Sequence, residues 1–150
     1  MKIISNASPL IFLAKIGKLD LLENYEIIIP EQVHKEIIKE NLIIKNLITV
    51  KETEIIKEIE KQNLGEGEKA AISLGIQEKI KLILLDERKA RSMARFYKLK
   101  PRGTIGILIE AYKNKKISKE GLKESIQKLI KEGYRISEDI IINLYNSFFH

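Results

Sequence analysis

The chain is expected to fold as an α/β protein, with helices packed around a mostly parallel central sheet. Three observations predict this. Short apolar runs alternate with amphipathic helical stretches along the whole length, as βα repeats do. One run, Lys81–Leu85 (KLILL), is continuously apolar after its lysine, which suits a strand buried on both faces. Asp86 follows it directly, at the carboxyl end of a strand, where sheets of this kind bind ligands. The 150 residues fit a single domain, 1–150, and suffice to bury a core.

The elements follow in order. Lys2–Ser5 predicts a first strand. In Asn6-Ala7-Ser8-Pro9 the chain turns into a helix, with Ser8 at the N-cap and Pro9 at the first helical position. Glu26–Pro30 predicts a second buried strand closed by proline, and Glu31–Glu40 a helix. There Glu36 lies three residues after Val33, so it shares or borders the inward face of Val33 and Ile37. Ile43–Val50 is expected to give a small strand or turn, and Thr53–Lys61 an exposed charged helix. Glu68 opens the next helix on the same face as Ala71 and Ile72. Glu87–Lys98 predicts a basic amphipathic helix, turning Ala90, Met93, Ala94 and Tyr97 inward and carrying Arg88, Lys89, Arg91 and Arg95. Lys98–Gly103 suits a last strand, after which Thr104 caps a helix. A further helix carries Leu122, Ile126, Leu129 and Ile130 and stops at Gly133. Tyr134–Ile136 is expected to be extended, and Ser137 to open a final helix ending in Phe148, Phe149 and His150.

Composition narrows the chemistry. The formal charge of +6 points to an anionic partner, with nucleic acid foremost, although a chain rich in Lys and Glu also suits an ion-paired solvated surface. No apolar run approaches the ~20 residues of a membrane span. The apolar stretch at the start is too short for a signal peptide, and cysteine is absent, so the cytoplasm is the expected compartment. Two histidines, His34 and His150, leave no basis for a Ser-His-Asp triad or a histidine-rich zinc site. GEGEKA lacks the Walker lysine and does not follow a strand as the dinucleotide fingerprint requires.

Oxygen chemistry remains. Asn6 follows the first strand, Glu36 sits on the helix after the second, Glu68 begins a helix and Asp86 ends a central strand. A parallel sheet allows these four to converge at one edge. Close carboxylates repel unless a cation neutralises them, and hard oxygen ligands favour Mg²⁺ or Mn²⁺. Such a site activates water for phosphodiester cleavage, while the basic surface holds the phosphate backbone. Simpler roles compete at each position. Asp86 suits a helix cap, Glu68 a helix-dipole partner, Glu36 an ion pair with Lys35 or a distant arginine, and Asn6 a turn former. Ser8 and Thr104 suit caps first, and ligands of phosphate or of the metal's outer shell second.

The segments SNASPLIFLAKIGKLDLL, IPEQVHKEI, LGEGEKAAISLG, LILLDERKARSMA and GTIGILIEAY, in this order and spacing, resemble the PIN-domain proteins. They are most similar to the small prokaryotic branch related to VapC-type toxin ribonucleases. The resemblance covers nearly the whole chain. It implies a three-layer α/β/α sandwich and an Mg²⁺- or Mn²⁺-dependent ribonuclease with clustered acids, with RNA as substrate, a small antitoxin protein as partner and a homodimer. By position it implies Asn6, Glu36, Glu68 and Asp86 as the metal set, with Glu36, Glu68 and Asp86 catalytic. Arg88 and Arg91 match the basic pair after the strand-end acid, and Thr104 a position near the site. One departure stands out: the usual first residue of the set is aspartate, and the amide of Asn6 coordinates without bringing negative charge. That departure motivates a second reading, a catalytically weakened module that binds RNA or antitoxin. A third is a structural partner that docks through Leu144, Tyr145, Phe148 and Phe149.

Overall fold

Successive residues of the central strands point to opposite faces, and both faces are covered. Ile3, Ile27, Ile29 and Leu84 enter one buried cluster, while Ile4, Ile28, Ile83 and Leu85 enter another. Strands with apolar residues on both sides belong inside a parallel sheet. A computed structural model describes residues 1–149, with the backbone alone for Asp139, Phe148 and Phe149. Its strands β1 (Lys2–Ser5), β2 (Glu26–Pro30), β3 (Ile48–Lys51), β4 (Leu82–Leu84) and β5 (Lys100–Arg102) form one sheet, all parallel, in the order β3-β2-β1-β4-β5.

Helices α1 (Ala7–Lys15) and α2 (Glu31–Lys39) pack on the first face, together with α6 (Thr104–Lys113), α7 (Lys119–Lys131) and α8 (Glu138–Leu144). On the other face lie α3 (Lys57–Glu60), α4 (Glu66–Gln77) and α5 (Arg88–Phe96). A three-layer α/β/α sandwich results. None of the described helices is long and apolar enough to cross a membrane.

The strand order creates the site. From β1 the chain steps outward to β2 and β3, then crosses back to lay β4 on the other side of β1. Helices therefore diverge at the carboxyl ends of β1 and β4, and a crevice opens there. The N–H of Asn6 donates to the carbonyl of Leu84 at 3.0 Å, which fixes the residue after β1 beside the end of β4.

Several expectations need correction. The segment 53–61 is no exposed helix: only Lys57–Glu60 is helical, Thr53 is buried and Ile59 is fully buried. Ile55, Ile56 and Ile59 pack under α4, and the N–H of Ile56 donates to Ser73 Oγ, so the segment straps the sheet instead of floating over it. Asn6, not Ser8, holds the N-cap position of α1, and Gly103, not Thr104, that of α6. Both hydroxyls are thereby freed for contacts elsewhere. Tyr134–Ile136 joins no strand. The final helix gives way to a π-helical turn at Tyr145–Phe149. His150 and the side chains of Phe148 and Phe149 lie outside the described residues; of the rest of that apolar end, Leu144 is buried and Tyr145 exposed.

Candidate metal and nucleic-acid site

Asp86 stands two residues beyond the end of β4, and both of its carboxylate oxygens accept hydrogen bonds. Oδ1 accepts from the backbone N–H of Thr104 at 2.7 Å and from the Tyr134 hydroxyl at 2.8 Å. Oδ2 accepts from Ser8 Oγ at 2.9 Å and Thr104 Oγ1 at 2.8 Å. The expected helix-cap role is thus real but lands on α6, whose first N–H it satisfies. The cap of α5 falls to Glu87, which accepts from Lys89 N–H. Arg91 donates to the backbone carbonyl of Asp86. Charged acceptors make the stronger hydrogen bonds, so four converging donors hold this side chain in one orientation.

Asn6 behaves oppositely. Asparagine at an N-cap normally turns its side chain onto the first N–H groups of the helix. Here it makes no such bond, and its Oδ1 is buried without a hydrogen-bond partner. An unmet buried acceptor costs roughly 1–3 kcal/mol. What faces it is Gly67, in the first turn of α4. A Cβ at Gly67 would lie 2.9 Å from Asn6 Oδ1 and 2.6 Å from Glu36 Oε1. Glycine therefore lets two oxygens crowd one spot beside a helix N-terminus, where the dipole favours negative charge. Although most of Glu36 is exposed, its carboxylate leans into this corner. Burial pushes its pKa above the ordinary 4.5, with Lys39 pulling the other way.

Glu68 lies one residue on and is half-buried. Its Oε1 accepts from the Gly65 N–H at 2.9 Å, half of a capping box. Burial raises its pKa more than that bond lowers it, and the carboxylates of Glu87 and Glu36 push it up further. Three carboxyl groups, Glu36, Glu68 and Glu87, thus lie near enough to repel one another.

Asn6, Ser8, Glu68 and Asp86 line one cleft of about 590 Å³, with Glu87 beside them and Arg88, Arg91 and Arg135 at its edges. Of the residues expected in the site, Thr104 reaches it by holding Asp86, and Glu36 lies behind it, touching the corner of Asn6. Among the described residues, no three acidic or histidine side chains stand close enough together to hold a metal by themselves.

Three further residues belong to the site. Tyr134 is buried, packs edge-on against Phe12 with ring centroids 5.1 Å apart, and donates to Asp86. Burial and the adjacent carboxylate push its phenol far above the ordinary 10.0, so it stays a proton donor. Gly133 positions it with φ +92°, in the left-handed region that favours glycine. Ser137 lines the cleft with a buried hydroxyl that lacks a partner, and Glu87 adds a third carboxylate. The sequence signals near these were the helix-stopping Gly133 and Ser137, which holds the expected N-cap position of α8 without a side-chain cap bond.

The donors fit a hard divalent cation of the Mg²⁺ kind. Such ions keep several waters and take one or two carboxylates from the protein, which is what an orphaned amide oxygen beside Glu36, with Glu68 in the same cleft, provides; Asp86 would join them by releasing one of the hydroxyls it now accepts from.

Comparison with known proteins agrees with this architecture. A family model described as PIN domain (DUF3368) matches residues 2–148. No curated protein matches the sequence at a significant level. Among solved structures, a PilT N-terminus domain protein from the hyperthermophilic archaeon Sulfolobus solfataricus P2 is similar. It is 16% identical with a TM-score of 0.54, over 74% of this chain and 93% of that one, a likeness of fold. PIN domains are generally nucleases that use divalent metals. With the match running from the first strand to the last helical turn, and with the strand order and crevice described above, the chain belongs to the PIN-domain family.

Proposed function

We propose that this protein is a divalent-cation-dependent ribonuclease. The reading is supported most by the corner at Gly67, where a buried amide oxygen without a partner and a carboxylate oxygen converge beside Glu68 and Asp86. Glu68 and Asp86 are the main ligands, Glu36 a supporting one and Asn6 a neutral one. A bound Mg²⁺ or Mn²⁺ would supply Lewis-acid polarisation of the phosphate and a lowered water pKa. The chain's own part is orientation and charge. Ser8, Thr104 and Tyr134 fix the Asp86 carboxylate. Arg88 and Arg91 face the anionic backbone. Cleavage of single-stranded and hairpin RNA in Mn²⁺ or Mg²⁺, abolished by EDTA, is the expected result. Undiminished cleavage by a Glu68→Ala, Asp86→Ala double variant would contradict it.

Two observations favour a second reading. Asp86 already accepts four hydrogen bonds, and among the described residues no three acids stand close enough together to hold a metal by themselves. A weakened PIN module that binds RNA or a small antitoxin without cutting is consistent with both. Under that reading the protein binds RNA with a steep salt dependence and shows no saturable Mn²⁺ uptake.

A toxin role, with a small antitoxin as partner, rests on the motif resemblance. Growth arrest on expression, relieved by co-expressing a small acidic-tailed protein encoded beside it, tests that role. A homodimer in the cytoplasm completes the proposal, and sedimentation of the purified protein tests its stoichiometry.

A further inference from the structure

A second cavity, of about 790 Å³, opens beside the acidic cleft and shares Arg91, Tyr134 and Ile140 with it. The two are neighbours across one sill. Its charge is one-sided: among the described residues Arg91, Arg95, Arg102 and Lys113 line it against one acid, Glu110, which is already paired with Arg102. The floor is apolar. Ile105 and Leu144 are buried there, and Ile109 and Ile140 are half-buried. The amides of Asn114 and Asn143 also line it.

Helix α5 connects the two cavities. Arg88 lines the acidic cleft, Arg91 lines both and Arg95 lines the second cavity. At positions i, i+3 and i+7 these three share one helix face, and the row is about 10 Å long at 1.5 Å per residue. A cationic row leading from a candidate phosphodiester-cutting centre to a pocket with an apolar floor suits a nucleic-acid strand. It suits a duplex poorly, because paired bases stay stacked and only phosphates reach the protein. An unpaired nucleotide fills such a pocket with the flat face of its base and leaves its phosphates to the arginines.

We infer that this cavity is a nucleotide-binding subsite that selects single-stranded RNA, taking one unpaired base next to the phosphate held in the acidic cleft. The inference rests on the ribonuclease reading. An acidic protein segment is the competing occupant, but continuity with the cleft through Arg91 and Tyr134 favours RNA.

Fluorescence anisotropy in EDTA, where no cleavage interferes, tests it with a labelled single-stranded RNA octamer and a blunt RNA duplex. The variants are Arg95→Ala, Lys113→Ala and, as a control, Lys2→Ala, Lys81→Ala, which removes two exposed cations at the amino ends of the strands. Wild type is expected to bind the octamer more tightly than the duplex. The Arg95→Ala, Lys113→Ala variant is expected to bind the octamer roughly tenfold more weakly, with the salt slope reduced by about 1.4 for two lost contacts to a single strand. The control variant is expected to keep the wild-type preference. Equal losses in the two double variants, equal binding of octamer and duplex, or displacement of the labelled octamer by an added acidic peptide at lower concentration than by unlabelled octamer would overturn the subsite. Unchanged octamer binding by Arg95→Ala, Lys113→Ala with cleavage intact would remove the subsite and leave the ribonuclease. Absence of any RNA binding by wild type would remove both.

Discussion

Asp86 accepts hydrogen bonds from Ser8, from Thr104 twice and from Tyr134, contributed by three separated segments of the chain. Tyr134→Phe deletes one of these donors and keeps the ring against Phe12. Bonds to a charged acceptor contribute roughly 1.5–3 kcal/mol, so urea denaturation should show a loss near the lower figure. A change within ~0.5 kcal/mol would place the hydroxyl outside the hydrogen-bond network that holds Asp86. The glutamates set a pH dependence of known sign. Glu36 and Glu68 have folded pKa values raised above 4.5, so the folded state holds their protons longer than the unfolded chain does. Their contribution to stability is complete below 4.5 and is lost as pH rises through the raised values. Metal-free protein should accordingly lose stability over that window, and Glu68→Gln should flatten the loss. Denaturation midpoints in EDTA between about pH 4 and 7 check this. Asp86 and Glu68 were legible because position alone marks them, one after a buried strand and one opening a helix. Tyr134 was not, because it lies 48 residues from Asp86 in an irregular segment, where no periodicity relates it to the site.

At the scale of elements, the first turn of α4 carries the design. Gly67 is the residue whose missing side chain admits Asn6 and Glu36. Alanine in a helix is ordinarily worth up to ~1 kcal/mol over glycine. In Gly67→Ala the exposed Glu36 carboxylate swings aside but the buried Asn6 side chain must also shift, which offsets that gain. Stability should therefore change by no more than ~1 kcal/mol, while Mn²⁺ binding weakens severalfold because the two oxygens no longer converge. Calorimetric titration together with thermal melting separates the two effects; unchanged Mn²⁺ affinity would remove this corner from the metal site. The strands β1 and β2 could be read to the residue, since both are short apolar runs with clear stops at Asn6 and after Pro30. Segment 53–61 misled because its charges alternate with Ile55, Ile56 and Ile59, and a helical pattern hid a strap anchored by Thr53 and Ser73. The caps moved by one or two residues for a related reason. Ser8 and Thr104 have good capping side chains, but Asp86 across the crevice binds both of them.

For the molecule as a whole, strand order does what no single residue does: it brings the ends of β1 and β4 together and lets residues from the two halves of the chain share one cleft. The fold class followed from βα alternation and the double-sided strands. Convergence of the acids followed only in part, because the topology sets which strand ends meet, while side-chain reach decides which oxygens touch. Glu36 thus meets Asn6 at Gly67, while Asp86 is occupied by hydroxyls. The missing charge at Asn6 is the weakest point of the site, and restoring it makes a prediction. Asn6→Asp should tighten Mn²⁺ binding by about tenfold, one added anionic ligand at close range, and lower stability without metal by adding repulsion against Glu36. Calorimetry and melting with and without Mn²⁺ read both. Anomalous diffraction from crystals grown in Mn²⁺ decides whether this cleft holds a divalent cation for phosphodiester chemistry. A single strong peak is expected among Asn6 Oδ1, Glu36, Glu68 and Asp86. A map without a peak there at millimolar Mn²⁺, with Asp86 still bound to Ser8, Thr104 and Tyr134, would contradict a cation site in this cleft.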